Sequence, residues 1–299
     1  MRIEAAVGTA AAASPWAVAR APHAPVPVMP QARSTGWSSV GRVTDPRLTE
    51  ISGVVASRAH PDTLWVHNDS GDDPRVFAIG SDGAVRGELR IDNARAQDWE
   101  DISFGPGPAG SGGGWLYVAD TGNNFLVRRA LSIYRFPEPS SLGDGSVSAQ
   151  RLDVRFDDGN RHNVEAMFVD PRSGDTMLVT KTSGSRAQLF RIPAGPFDGS
   201  TVVAEQVAVV EVGSKVTGAD ISPDGSRIAI RTSGQVAVWE RGAGDTIAQS
   251  VARVPVRFPA PSAEAIAFGR DGATLFSIGE GEGPSVETRR VPTTARVGA

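Results

Sequence analysis

The stretch Glu165-Ala166-Met167-Phe168 decides the fold, because the same kind of phrase returns along the chain. Each copy has a polar or acidic residue, then a small residue, then a run of apolar residues. The copies contain Ser52, Glu100, Glu165, Ala219 and Glu264, which are separated by 48, 65, 54 and 45 residues. A repeat of this period, in which each copy opens a set of short β-runs, is typical of a β-propeller.

Short strand-like runs follow each copy and are separated by turns rich in Gly, Asp and Pro. The fifth copy runs out before a fourth strand. The segment 38–43, which precedes the first copy, is expected to fill that gap and to close the ring without an open sheet edge. The sequence therefore predicts an all-β propeller with five blades, or with six if the long second interval contains further strands.

The first 36 residues differ from the rest, because they are rich in Ala and Pro. An Ala-rich segment after Arg2 resembles a secretory leader, although Glu4 interrupts its apolar region. We expect residues 1–36 to be a disordered leader or tail, and residues 37–299 to be a single propeller domain. An exported, extracellular protein is the expected location, and a cytoplasmic one stays open.

The composition excludes several classes of function. A net charge of −4 gives no electrostatic basis for binding nucleic acid. The absence of cysteine excludes disulfides, thiolate metal sites and a cysteine nucleophile. No run approaches the roughly 20 apolar residues that a membrane helix needs. A small-molecule ligand, anionic or a sugar, is the expected partner, and the oligomeric state is open.

A ring of oxygen ligands is expected at the channel, since the first strands of propeller blades line it. Several carboxylates on one axis are costly unless a cation compensates them. Calcium suits such a ring, because it takes six to eight oxygen ligands in flexible geometry. The alternative is that these polar residues bind channel waters or cap neighbouring strands. The predicted ligands of Ca²⁺ are Ser52, Glu100, Glu165, Asp220 and Glu264.

A second set of polar residues follows the next strand of each blade and is expected at one mouth of the channel. Mixed charge there would suit an anionic, metal-assisted substrate. Alternatively, these residues are turn formers whose charges pair with one another. The predicted substrate-binding residues are Asn68, Asp69, Asn124, Lys181 and Arg231. The predicted catalytic residues are Asp120, Lys181, Arg231, Glu280 and His162, with His67 as a second possible general base.

Several of these phrases together resemble an uncharacterised family of exported propeller proteins from actinobacteria. The resemblance covers roughly residues 48–292, and the family has no established activity to transfer. The phrases that carry it are His67 to Asp72, Trp99 to Ile102, Val164 to Ala166 with Thr180-Lys181, and Ser222 to Gly225 with Arg231-Thr232.

The ring is also similar, more distantly, to that of the calcium-activated nucleotidases (apyrases), which are five-bladed propellers with a central Ca²⁺. In type and order, Ser52, Glu100, Glu165 and Glu264 match the Ser and Glu ligands of that family. The fourth copy departs from the pattern, and the aromatic residues that bind the base there are not evident. The resemblance implies a metal site but leaves the substrate open.

These observations lead to three hypotheses about function. The first is a Ca²⁺-dependent hydrolase of an anionic, phosphorylated small molecule, in which Lys181 and Arg231 stabilise negative charge while Asp120 or Glu280 takes the proton. The second is a propeller that binds a ligand or a protein without catalysis. The third is a glycoside hydrolase, which needs two carboxyl groups at a suitable separation beside an open groove.

Overall fold

The computed structural model describes residues 36–291 as an all-β unit with twenty-one strands and one short helix. The predicted leader or tail at 1–36 lies, except for its last residue, outside the described residues. The helix α1 is Ile247–Val251. The strands are β1 Ser38–Arg42, β2 Ile51–Ala56, β3 Thr63–Asn68, β4 Arg75–Gly80, β5 Val85–Ile91, β6 Trp99–Pro106, β7 Gly114–Asp120, β8 Leu131–Pro137, β9 Gly145–Val147, β10 Gln150–Phe156, β11 Val164–Val169, β12 Thr176–Thr180, β13 Arg186–Ile192, β14 Thr201–Glu211, β15 Val216–Ile221, β16 Arg227–Thr232, β17 Gln235–Glu240, β18 Val256–Pro259, β19 Ala265–Phe268, β20 Thr274–Ile278 and β21 Ser285–Arg290.

Antiparallel pairing arranges the strands in consecutive groups of four. The groups are β2-β3-β4-β5, β6-β7-β8-β10, β11-β12-β13-β14, β15-β16-β17-β18 and β19-β20-β21-β1. Parallel pairing of β10 with β14 joins the second and third groups into one eight-stranded sheet, and β9 adds to β5 in the same way. The end strands of the eight-stranded sheet, β6 and β11, contact each other, so that this sheet is nearly closed. The prediction of an all-β fold is confirmed.

The first strands of the groups are the inner strands, and they follow one another in a ring. Strand β2 contacts β6, β6 contacts β11, β11 contacts β15, β15 contacts β19, and β19 contacts β2. Every residue of β2, β11, β15 and β19 is buried. The core lies between adjacent groups, as where Phe168 and Val179 pack with Ile230 and Trp239. The N-terminal strand β1 pairs with β21, which is the partner expected for it.

A register irregularity marks the start of four inner strands. It falls at Ser52, Glu100, Glu165 and Thr217, each of which is an extra residue relative to the second strand of its group. The hydroxyl of Ser52 donates to the carbonyl of Glu100 at 2.7 Å, and that of Thr217 donates to the carbonyl of Glu264 at 3.1 Å. Thr217 is therefore the structural counterpart of Ser52.

This register corrects the predicted metal ligand Asp220. The sequence repeat was aligned at Ala219 and Asp220, but the matching position is Thr217. Asp220 lies three residues further along β15, which is about 10 Å of extended chain. Its carboxylate accepts a hydrogen bond from the Phe268 amide at 2.7 Å, so it joins β15 to β19 rather than facing the start of the strands.

The apolar residues of segment 247–256 predict a strand there, but only its last residue, Val256, lies in one. Thr246 caps α1 through a capping box with Gln249, and this local hydrogen bonding favours a helical turn over an extended chain. The strand of this group, β18, begins only at Val256.

Candidate functional site

Carboxylates gather where the inner strands begin, and we call this end of the channel the acidic mouth. Each of its acidic groups either raises the pKa of another through its charge or has its own pKa raised in this way, so they lie close together. One lysine, Lys181, lies among them. The acidic residues of the mouth are Glu50, Asp69, Asp98, Glu100, Glu165, Glu264 and Glu280.

Three of these carboxylates form a compact trio. One oxygen from each of Asp69, Asp98 and Glu100 lies within 4.8 Å of the other two. Gly122 permits this approach, because a Cβ on it would stand 2.2 Å from an oxygen of Asp98 and 2.3 Å from one of Glu100. The trio therefore depends on a bare backbone at position 122 as well as on the three acidic side chains.

The carboxylate of Glu100 is the least compensated group of the trio. Its residue is 3% exposed, and no residue within 36–291 donates a hydrogen bond to it. Burial, with the charges of Glu165 and Asp69, raises the pKa of Glu100 to about 10. Burial and the charge of Asp69 raise the pKa of Asp98 to about 6. A buried carboxylate with no donor needs a proton or a cation to be stable.

Lys181 compensates one carboxylate of the mouth. Its Nζ lies 2.8 Å from Glu165, whose carboxylate also accepts a hydrogen bond from Asn163 at 2.9 Å. Burial raises the pKa of Glu165, and Lys181 opposes that rise. The Lys181 side chain remains 31% exposed, so its ammonium group can be reached from solvent.

Glu264 and Glu280 line a pocket of about 470 Å³ together with Glu50 and the hydroxyl residues Ser233 and Ser262. Burial, with the charges of Glu264 and Glu50, raises the pKa of Glu280 to about 7. A carboxyl group with such a pKa can exchange a proton near neutral pH.

Two predicted catalytic residues are engaged in the wall of the channel. The carboxylate of Asp120 is buried and forms an ion pair with Arg128 at 2.9 Å. Arg231 is fully buried, and its guanidinium donates to the carbonyls of Ala263 and Pro261. The Nη1 atom of Arg231 is buried without a partner among residues 36–291, and a role for Arg231 in binding a substrate anion stays a prediction.

Three further predicted residues hold loops in place. The amide of Asn68 donates to Arg47 at 2.6 Å and to Asp72 at 2.8 Å. Asn124 accepts from Asn163 at 3.0 Å. The Nε2 of His162 lies 2.9 Å from Asp158, and its ring packs on Phe156 and Phe190. These three side chains make their hydrogen bonds to residues outside the trio.

His67 is fully buried, and burial lowers its pKa, so its imidazole is neutral. Its Nδ1 lies 2.8 Å from the carbonyl of Asn68 and donates to it. The Nε2 atom has no hydrogen-bond partner in the described part of the chain. Gly53 makes room for the ring, since a Cβ there would lie 2.3 Å from Nε2. A role for His67 as a general base stays a prediction.

Asp101 is an important residue that the sequence analysis did not single out. It is fully buried, and its carboxylate accepts from the amides of Ile102 at 2.9 Å, Met167 at 2.9 Å and Ala219 at 3.2 Å. These amides belong to β6, β11 and β15. The sequence does carry a signal for this role. Asp101 is acidic at the second position of the repeated phrase, where two other copies have the small residues Gly53 and Ala166.

Comparisons with known proteins leave the chain without a family. No family model and no curated protein matches it. One similar solved structure is hydrazine synthase of Kuenenia stuttgartiensis, with 14% identity, a TM-score of 0.39, and coverage of 79% of this chain and 57% of that one. Another is a mitotic checkpoint complex, with 15% identity, a TM-score of 0.38, and coverage of 80% and 63%. The chain thus spans about three fifths of each. Neither the actinobacterial family nor a link to the nucleotidases is shown.

Within residues 36–291, no helix has the length and apolar character needed to cross a membrane.

Proposed function

We propose that the protein is an exported five-bladed β-propeller whose acidic mouth binds Ca²⁺ and hydrolyses an anionic, phosphorylated small molecule. The five antiparallel groups and the ring of contacts among β2, β6, β11, β15 and β19 support the number of blades. Strand β1 completes the last group, as expected of a ring closed by both ends of the domain.

The observation that carries the metal site is the Glu100 carboxylate, which is buried without a donor beside Asp69 and Asp98. Carboxylate oxygens are hard ligands, and Ca²⁺ tolerates the irregular geometry of such a trio. The donor set therefore fits Ca²⁺, with Asp69, Asp98 and Glu100 as the residues that would hold it. Asp98 is not among the ligands predicted from sequence. In the fourth copy, Thr217 rather than Asp220 stands at the ring position that matches Ser52. Ser52, Glu165 and Glu264 stay possible further ligands.

Bound Ca²⁺ would neutralise these carboxylates and polarise an oxygen of the substrate. Lys181 is a cationic side chain of the acidic mouth with solvent access, and it would bind the anionic group while keeping contact with Glu165. Glu280 would accept the proton of the attacking water, because its pKa of about 7 suits proton transfer at neutral pH.

The second candidate is a propeller that binds a ligand without catalysis. The contacts that its cationic side chains already make within the protein favour this candidate. Arg231 is held by backbone carbonyls and Lys181 by Glu165, so neither is committed to stabilising a transition state. The carboxyl groups of Glu264 and Glu280 share one pocket, which keeps glycoside hydrolysis as a third activity to test.

Product release from nucleotides, phosphate esters and aryl glycosides, with Ca²⁺ or with a chelator, separates these candidates. We expect phosphate release that requires Ca²⁺ and is lost in Asp69→Asn and Glu280→Gln. The matched control is Glu211→Gln, an exposed residue of β14, which should keep full activity. Turnover that ignores the chelator would reject the calcium mechanism. Saturable binding without turnover would establish the ligand-binding candidate, and sugar release would establish the third.

A further inference from the structure

The inner strands end at the opposite side of the channel, which we call the distal mouth. Within two residues of the ends of these strands lie Arg58, Pro106, Pro171, Ser222 and Arg270. A pocket of about 370 Å³ opens there, lined by Arg58, Phe104, Pro106, Pro171, Ser222 and Pro223 among others. Its lining is largely apolar, and Arg58 is the charged residue within it.

The guanidinium of Arg58 is poorly compensated. Its Cζ lies 5.2 Å from the centre of the Phe104 ring, so the aromatic face covers one side of it. Its Nη1 is buried, and no residue in 36–291 accepts a hydrogen bond from this nitrogen. A buried donor without an acceptor costs about 1–3 kcal/mol, so the pocket favours an occupant that accepts one.

The two carboxylates nearest to Arg58 have other partners. Glu138 accepts hydrogen bonds from the hydroxyl of Ser57, from Trp65 and from the backbone amide of Arg58 itself. Asp220 accepts from the Phe268 amide. Burial raises the pKa of Asp220 to about 7, so that its negative charge is incomplete at neutral pH. Neither lies within ion-pair distance of Arg58, although the charges of both act on its guanidinium. An acceptor for Nη1 is therefore still missing.

A second arginine strengthens the positive charge of this end. Arg270 follows β19, is exposed, and lies near enough to lower the pKa of Arg58, after the larger effect of burial. The two guanidinium groups repel each other, and an anion bound between Arg270 and Arg58 would relieve that repulsion.

We propose that the distal mouth binds the carboxylate group of a small organic acid, whose apolar part packs against Phe104 and the neighbouring prolines. The planar guanidinium of Arg58 matches a carboxylate in geometry. A monoanion is favoured over a phosphate dianion, because Asp220 and Glu138 lie near the guanidinium and would repel the second charge. This site is independent of the acidic mouth and of the hydrolysis proposed there.

Benzoate is the probe that tests the site, with benzamide as its uncharged isostere and inorganic phosphate as the dianion. Calorimetric titration should show saturable binding of benzoate that is at least tenfold tighter than that of benzamide and of phosphate. Arg58→Met should weaken benzoate binding at least tenfold, whereas Arg155→Met, which changes an exposed arginine of β10, should leave it unchanged.

A measurement on the unmodified protein guards against a variant that does not fold. The Nε–H resonance of Arg58 should shift during the benzoate titration with the same dissociation constant as calorimetry gives. Equal binding of benzoate and benzamide, benzoate binding that survives Arg58→Met, or a resonance that does not move would each overturn the proposal. Since phosphate-ester hydrolysis is assayed separately with Ca²⁺ and chelator, either proposal can fail alone.

Discussion

The two mouths are built on the two ends of the same inner strands, yet the least compensated group is a carboxylate at one mouth and a guanidinium at the other. The acidic mouth has seven carboxylates and one lysine, and its most buried carboxylate, Glu100, has no donor. The distal mouth has Arg58 and Arg270, and the carboxylates nearest to Arg58 are held by other partners. The repeated backbone therefore fixes where side chains stand, and the residues at the ends of each strand decide which ligand each mouth attracts.

Charge separation along one channel has an electrostatic consequence. Low-dielectric walls focus the field between clusters of opposite charge, so under our two proposals cations would be attracted to one mouth and anions to the other. Asp101 lies between the two mouths along β6 and holds three strands together. The predictions below test whether the mouths behave as two separate sites.

The largest effect is expected from Asp101→Ala. The change leaves the amides of Ile102, Met167 and Ala219 without their acceptor, which should lower the free energy of unfolding by about 3–5 kcal/mol. Urea denaturation measures it. The loss should be equal with and without Ca²⁺, because Asp101 belongs to the channel wall.

Ser103→Ala is the matched control, since the Ser103 hydroxyl accepts one amide hydrogen bond, from Val169 at 3.0 Å. We expect a loss of about 1 kcal/mol there. If Ca²⁺ restored the stability of Asp101→Ala, Asp101 would be part of the acidic mouth, and the separation of the two mouths would be wrong.

The next largest effect is stabilisation by Ca²⁺. A cation that binds only the folded state stabilises it by about 2.7 kcal/mol at a hundredfold excess over Kd. Thermal unfolding should therefore shift upward with Ca²⁺, and Glu100→Gln and Glu165→Gln should each remove most of the shift. Glu211→Gln should keep it. Equal melting temperatures in Ca²⁺ and in chelator would reject the metal site while leaving the fold intact.

A smaller effect is expected from pH in the presence of chelator. The pKa values of Asp98, about 6, and Glu280, about 7, exceed their ordinary values, so the folded state holds these protons more tightly. The stability they give is complete below about pH 4 and is lost as pH rises through 6 and 7. We expect these two groups to contribute a decrease of roughly 1 kcal/mol between pH 5 and 8, since both are partly exposed and screened by solvent. Glu100, whose pKa is raised further to about 10, should add to this decrease over the same range.

Chemical denaturation at several pH values measures this decrease, and Ca²⁺ separates the contributions of the two mouths. Asp220 titrates in the same range from the distal side, and its contribution should persist in Ca²⁺ and vanish in Asp220→Asn. A pH dependence that Ca²⁺ leaves unchanged would contradict the assignment of Asp98 and Glu280 to the metal-binding end.

The smallest effect is expected from Arg270→Gln. Arg270 is exposed at the rim of the distal mouth, so its charge is screened, and its loss should weaken benzoate binding only about two- to threefold. Calorimetry measures the change, and Ca²⁺ binding at the acidic mouth should be unaffected. A loss as large as that in Arg58→Met would show that Arg270, not Arg58, is the main anion-binding group.

Much of the fold could be predicted from sequence, because buried inner strands have apolar runs that hardly vary. Ser52, Glu100 and Glu165 were placed correctly at the starts of these strands. The fourth copy was misaligned by two residues, because Thr217 is not acidic, whereas Ala219-Asp220-Ile221 contains an acidic residue directly before an apolar one.

The sites were harder to predict, because their side chains come from loops and from neighbouring groups. Asp98 precedes its strand, and only the folded chain brings it beside Asp69. Arg231 looked available in the sequence, but it is buried and donates to the carbonyls of Ala263 and Pro261. Arg58 belongs to no sequence motif. That its Nη1 lacks a hydrogen-bond acceptor is visible only in the folded chain, where the end of β2 packs near Phe104.

The pairing of β1 with β21 determines how the domain would respond to mechanical load. Ser38 lies opposite Thr288, and Arg42 lies opposite Ser285, so the chain leaves both strands at the same end of the pair. Force applied to the two ends of the described chain would peel these strands apart one hydrogen-bonded pair at a time, rather than shear all pairs together. The domain would therefore open at low force at this point, and the other four groups would then be exposed to the load in turn.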